Sequence, residues 1–197
     1  YTMSLYKTKS KLHGLSQTRD RSFYFFWKGD EIPHMHFYRR PHEKIEDTIR
    51  NAFVSKDDPM NELTNKNKPS DNPFYKYVLE ELEGGITHKE FQNKIEKTTN
   101  PLDYLENRNI EYDEVSEWMA ANGFDKQSKR CLEIHKKLKS GGNIMRKTTE
   151  IPKDYIGAFV GHMPTCLTHP DEDRYLTIRE CMAIMKLPSD FQLQGGR

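Results

Sequence analysis

Apolar and polar residues alternate at the start of the chain. Tyr1, Met3 and Leu5 interleave with Thr2 and Ser4, a period of two that predicts a half-buried strand. His13-Gly14-Leu15-Ser16 predicts a turn or loop. Ser22-Phe23-Tyr24-Phe25-Phe26-Trp27 is a continuous aromatic run, the pattern of a strand buried on both faces, and Lys28-Gly29-Asp30 closes it with turn residues. Two strands alone are at best marginally stable in water. The pair therefore calls for cover, from the rest of the chain or from a partner.

Helical periods follow. Ile45, Ile49 and Phe53 recur every four residues, and Phe74, Val78 and Leu82 do the same before Gly84-Gly85. Between them, residues 55–73 hold three prolines and several Asn and read as a loop or mobile linker. Thr87 and Glu90 form a capping-box pattern ahead of Phe91 and Ile95. Asn100-Pro101 reads as a cap and first helical residue. Val115, Trp118 and Met119 make a stripe that stops at Asn122-Gly123. Asp125 is a candidate cap for a helix carrying Cys131, Ile134 and Leu138, which ends at Ser140-Gly141-Gly142.

After Gly142 the pattern changes. Residues 143–149 and 155–160 read as strands, and 162–170 as a loop. Thr177 and Glu180 make a second capping box before a helix with Ile178, Cys181, Met182 and Met185 on its apolar side, ended by Leu187-Pro188. The fold class expected is α+β: a mostly helical region with a small strand-rich part, and the two N-terminal strands as an edge of a larger α/β sheet.

Composition narrows the class. Of 197 residues 35% are hydrophobic, 31% charged and 11% aromatic, polar for a globular chain but sufficient for a core. No run approaches 18 apolar residues, so no membrane span is expected, and no leader pattern is visible. Three cysteines without a CxxC argue against a disulfide scaffold and for a cytoplasmic location. Net charge is only +1, but it is unevenly spread. Lys/Arg number 10 against 6 Asp/Glu in residues 1–50, 8 against 15 in 51–124, and 13 against 9 in 125–197. A polyanion would be drawn to the two ends.

Familiar chemistry is missing. There is no GxGxxG, no P-loop and no HExxH. His34, His36 and His42 lie close in sequence without Cys or Asp ligands beside them, and no metal site is expected.

Two segments go beyond fold punctuation. Gln17-Thr18-Arg19-Asp20-Arg21 sits directly before the aromatic strand. In extended chain Arg19 and Arg21 point the same way and offer two planar donor forks to one phosphate or base edge. The bland alternative is a pair of surface arginines beside Asp20. The second segment is Arg174-Tyr175-Leu176-Thr177-Ile178-Arg179-Glu180-Cys181, followed by Leu187-Pro188-Ser189-Asp190-Phe191. It reads as a capped helix whose Arg174 and Arg179 can bind carboxylates or carbonyls elsewhere.

In that order and spacing, the two segments resemble motifs VIII and IX of the cytosine-5 DNA methyltransferases. The stretch between them holds the position of that family's variable target recognition domain. The resemblance implies motif VIII strands of the catalytic lobe in residues 1–38, a recognition domain in 39–165 and a motif IX segment in 166–197. It departs from the family pattern at Leu15-Ser16 and at Lys186-Leu187, which suggests a divergent member, such as a phage or mobile-element enzyme of the restriction-modification kind. Cys131, Cys166 and Cys181 follow Arg, Thr and Glu, so none stands in the family's Pro-Cys motif. The resemblance therefore implies a piece of a methyltransferase, inactive alone. Its partners would be double-stranded DNA and an N-terminal catalytic lobe or subunit, and S-adenosylmethionine would be bound by that lobe and not by this chain.

The same resemblance assigns roles in base flipping. Cytosine C5 is hidden in the stack, so the base must leave the duplex. Arg21 would contact the cytosine carbonyl and a nearby phosphate, Arg19 would support the loop or pair with a catalytic-lobe carboxylate, and Gln17 would hold the loop or the opened duplex. Arg174, Thr177, Arg179 and Glu180 are structural motif IX residues. From the residues themselves, Lys137, Lys139, Gly142, Asn143, Arg146 and Lys147 are the best candidates for contacting DNA, with Arg39-Arg40 as a second phosphate site. The competing reading is that Lys137 and Lys139 serve the helix dipole and touch only phosphate. Two other functions stay open at this point: a portion of an RNA (tRNA) cytosine-5 methyltransferase, and a non-catalytic nucleic-acid-binding or protein-interaction module.

Overall fold

A computed structural model of the chain describes residues 1–31, 38–142, 144 and 149–193. His34, His36, Asn143, Arg146 and Lys147 lie outside the described residues, as does most of the strand expected over 143–149. The architecture is α+β: seven α-helices and one two-stranded antiparallel sheet among the described residues.

Strands β1 (Thr2–Lys9) and β2 (Asp20–Trp27) pair from Thr2 opposite Trp27 to Lys9 opposite Asp20. Paired residues share a face. One face therefore carries Tyr6, Thr8, Arg21, Phe23 and Phe25, and the other Met3, Leu5, Tyr24 and Phe26. β2 was expected to be buried on both faces. It is exposed instead, with Tyr24 at 59% and Phe26 at 67%. Met3 and Leu5 are also exposed, and the Thr2–Ser4–Tyr6–Thr8 side is the better covered one. The reason is that, among the described residues, β2 has one neighbouring strand and its side chains are left exposed on both faces.

The base of this hairpin is fastened to the body. The Ser10 amide donates to Arg19 O at 3.0 Å, and the Thr18 amide to Ile156 O at 2.9 Å. Ile156 returns a bond to Ser16 O at 3.0 Å, and Arg40 donates to Leu12 O at 3.0 Å. The Lys11 ammonium stands 3.3 Å from the centre of the Tyr155 ring, a cation–π contact.

The helices begin where their caps dictate. Asn72 caps α2 (Pro73–Tyr77), which runs on through a π-helical turn to Leu82 and stops before Gly84 at φ 73°. Thr87 and Glu90 close a reciprocal capping box on α3 (His88–Lys94), and Asn100 caps α4 (Pro101–Asn107). Helices α5 (Tyr112–Ala121) and α6 (Asp125–Lys139) pack side by side. Asp125 is the first residue of α6 rather than its cap, so it serves the helix dipole. α6 ends in a Schellman turn: Gly141 N donates to Leu138 O and Gly142 N to Lys137 O, both at 2.9 Å, with Gly141 at φ 73°.

Two cores result. The first joins Tyr75, Val78, Phe91, Leu102, Leu105, Val115, Met119 and Cys131 with Ile151. The second joins Ile45 and Ile49 of α1 (Ile45–Arg50) to Ile156, Met163, Leu167, Leu176 and the inner face of α7 (Ile178–Ile184). It draws on residues before and after position 165, so those segments share one interior. Phe53 falls beyond the end of α1 and is 66% exposed, and Met185 lies past the end of α7 at 50%. Residues 55–73 are no free linker. They form 3-10 turns at Pro59–Asn61 and Pro69–Asp71, and Thr64 N donates to Leu176 O at 2.9 Å. The strand expected over 155–160 is reduced to an isolated bridge between Ile156 and Gln17. Among the described residues no helix is long and apolar enough to cross a membrane.

Candidate nucleic-acid interface

The segment 17–21 divides into one buried anchor and two exposed cations. Gln17 is 7% exposed. Its Oε1 accepts from Phe159 N at 3.1 Å and its Nε2 donates to Ile184 O at 3.4 Å, so it pins the loop to the second core. Arg19 is exposed, its amide donates to Ser10 Oγ at 2.8 Å, and its guanidinium has no partner among the described residues. Arg21 is exposed at the start of β2 opposite Thr8, and its Nη1 donates to Asp20 O at 2.7 Å. Asp20 lies on the other face and pairs with Lys9 at 3.7 Å. Arg21 also borders a largely apolar groove of about 470 Å³ with Tyr6, His13, Leu15, Phe23 and Phe25. Arginines on a rigidly based loop can grip phosphate or a base edge with little ordering cost.

The second segment is a clasp. Arg174 donates to Glu180 through two bonds of 2.9 and 2.8 Å and to Glu172 through two of 2.8 and 3.4 Å. Burial works against the Arg174 charge, but its bonds to Glu180 and Glu172 outweigh that and raise its pKa. Glu180 also completes the capping box with Thr177. Arg179, 5% exposed at its side chain, holds Asp58 through bonds of 2.6 and 3.1 Å and Phe191 O at 3.0 Å. The Arg179 hydrogen bond keeps the Asp58 carboxyl below the usual carboxylate range. The asymmetry matters: removing one partner of a desolvated pair strands the other. Nothing near Asp58 in the sequence signals its partner, 121 positions away.

The remaining candidates fall in two places. Arg39 and Arg40 are exposed, and the Arg40–Leu12 bond sets Arg40 against the hairpin base that carries Arg19. Lys137 and Lys139 are exposed at the end of α6, which packs on the first core, whereas the hairpin joins the second through Ile156. A Cβ on Gly142 would meet Lys137 Cγ at 2.8 Å, so the turn itself demands glycine there.

Two of the three thiols are buried in unreactive settings. Burial pushes Cys131 and Cys181 up to about 12. Among the described residues no group of three His, Cys, Asp or Glu could hold a metal. The two strands are antiparallel, so no parallel strand–glycine turn–helix unit is present among them to seat an adenosyl cofactor. A buried relay unseen in the sequence links Tyr75 OH to His88 Nδ1 at 2.8 Å and His88 Nε2 to His169 O at 2.7 Å, tying α3 to the loop before α7.

The exposed arginine pair thus stands on a hairpin that Gln17 ties to α7, the helix capped by Thr177 and clasped by Arg174 and Glu180. Compared with protein-family models, residues 1–197 match C-5 cytosine-specific DNA methylase over the whole chain. The chain belongs to this family of methyltransferases, whose substrate is DNA and whose methyl donor is generally S-adenosylmethionine. Comparison with curated proteins gave no match, and comparison with solved structures gave none.

Proposed function

We propose that this chain is the recognition and target-cytosine-positioning part of a DNA cytosine-5 methyltransferase. The carrying observation is the pair Arg19 and Arg21, solvent-facing on a hairpin that the buried Gln17 locks to the body. In this reading Arg21 contacts the carbonyl oxygen of the extruded cytosine and a nearby phosphate, Arg19 supports the loop or pairs with a catalytic-lobe carboxylate, and Gln17 holds the loop or the opened duplex. Residues 1–38 belong to the catalytic lobe, 39–165 recognise DNA, and 166–197 brace the two. Lys137, Lys139, Gly142, Asn143, Arg146 and Lys147 contact the duplex, with Arg39 and Arg40 nearer the hairpin. Arg174, Thr177, Arg179 and Glu180 hold the frame.

The attacking thiolate and the S-adenosylmethionine site are supplied by a catalytic lobe outside these residues. Two facts favour this: both faces of the hairpin are apolar and exposed, and the thiols of Cys131 and Cys181 are held protonated by burial. Free cysteines fit a cytoplasmic setting. The test is Arg21→Ala in the enzyme completed with its lobe. Single-turnover methylation of duplex DNA should fall at least about tenfold, roughly 1.4 kcal/mol; a smaller loss refutes the positioning role. Faster methylation of tRNA than of duplex DNA by the unaltered enzyme would refute the substrate.

A further inference from the structure

Helix α6 carries more positive charge than its own stability can use. Its 15 residues include Lys126, Lys129, Arg130, Lys136, Lys137 and Lys139 against Asp125 and Glu133. At 100° per residue, Lys126, Lys129, Arg130, Lys136 and Lys137 fall within one arc of about 120°, with Glu133 the lone acid among them. All five are exposed, and none forms an ion pair with a described residue. The opposite side, Ser128, Cys131 and Ile134, is packed toward α5 and the first core.

Cations in the last turn, such as Lys136 and Lys137, are favoured by the helix dipole. Lys126, Lys129 and Arg130 are not: Lys126 lies in the first turn, where the dipole disfavours positive charge, and Lys129 and Arg130 lie beyond the reach of either helix end. The acidic neighbour α5 does not explain them either. Its Glu114 accepts from Tyr77 OH, and its Asp113 lies 3.9 Å from His135. A stripe of like charge that the helix dipole does not call for, and that forms no ion pair with the described residues, matches a polyanion from outside.

We propose that this face of α6 is a phosphate-tracking surface for duplex DNA, extending well beyond Lys137 and Lys139. Charge complementarity and continuity with the glycine turn at the helix end support that occupant. The stripe from Lys126 to Lys137 is about 16 Å long at 1.5 Å per residue, equivalent to roughly five base-pair steps. Lysines and an arginine on such a stripe contact phosphates and carry no base preference, so they set affinity and register while other residues read sequence. The assignment rests on the chain acting on DNA as proposed above.

The test is binding of the full 197-residue chain to duplex DNA of mixed sequence over a salt series. The comparison protein is K126Q/K129Q/R130Q/K136Q/K137Q, with K126R/K129R/K136R/K137R as a charge-preserving control and circular dichroism to verify helix content. Each lost phosphate contact lowers the slope of log K against log salt by about 0.9, so the Gln variant should lose about 3 to 5 in slope while the Arg variant keeps it. An unchanged slope in a folded Gln variant overturns the α6 surface and leaves the cytosine-positioning role standing. No duplex binding by the unaltered chain at low salt overturns the DNA reading itself. Tighter binding to phosphatidylserine vesicles or to duplex RNA than to DNA overturns DNA as the occupant.

Discussion

The hairpin and the helical body are both rich in large apolar residues, yet they treat them in opposite ways. In the body, Leu105, Val115, Met119 and Ile151 are fully buried. In the hairpin, Met3, Phe23, Tyr24 and Phe26 stand in solvent on both faces of one strand pair. The body is a finished interior. The hairpin is a surface patterned like an interior, and among the described residues it is fastened at its base, through Gln17, Thr18 and Ile156, Leu12 and Arg40, and Lys11 and Tyr155. Exposed apolar area of this kind marks a site of association. The difference teaches that burial is unevenly divided: the body folds around itself, whereas the hairpin that carries Arg19 and Arg21 leaves its apolar faces exposed among the described residues, as the positioning role proposed above requires.

That contrast can be broken first in the body. Leu105→Ala should cost about 2 to 5 kcal/mol in denaturant unfolding, because it empties a fully buried site. Next come the caps: Thr177→Ala and Thr87→Ala should each cost about 1 kcal/mol, read by the same unfolding curves. On the hairpin, Phe26→Ser should change the stability of this chain by less than about 0.5 kcal/mol and improve its solubility. In the enzyme completed with its catalytic lobe the same change should weaken assembly. If Phe26→Ser unfolds the isolated chain, the hairpin is part of the interior and the comparison fails.

Acid should act on the body through its pairs. Asp58 and Asp171 are held below the usual range, each first by its arginine hydrogen bond, from Arg179 and Arg50. Burial lowers His88 as well. A group whose folded pKa is depressed stabilises above its unfolded value and loses that contribution as pH falls. Thermal midpoints should therefore slip from about pH 6.5 downward as His88 is forced to charge, and more steeply below about pH 4 as the carboxylates protonate. A flat profile from pH 7 to 3 would show that these pairs do not hold the fold.

Local chemistry was legible in the sequence. Caps at Thr87, Asn100 and Thr177 and stops at Gly84 and Gly141 are written in residues within a turn of one another, and the helices begin and end close to them. The periodic stripes of α2 to α6 also reported their buried faces. Burial of the strands was misread, because an aromatic run specifies what a strand would like to touch and not whether a neighbour is there. The proline-rich stretch 55–73 was misread as slack for the converse reason: its contacts to residues 173–179 lie over a hundred positions away.

The sequence by itself determined the α+β class, the helix boundaries set by caps and glycines, and the motif pair that marks the family, since each depends on groups a few residues apart. Only the tertiary structure decided that Gln17 is an anchor while Arg19 and Arg21 are free to meet a ligand, that Arg179 finds Asp58, and that five cations of α6 share one unpaired face. These are matters of distance and desolvation between remote segments, which a linear pattern does not encode.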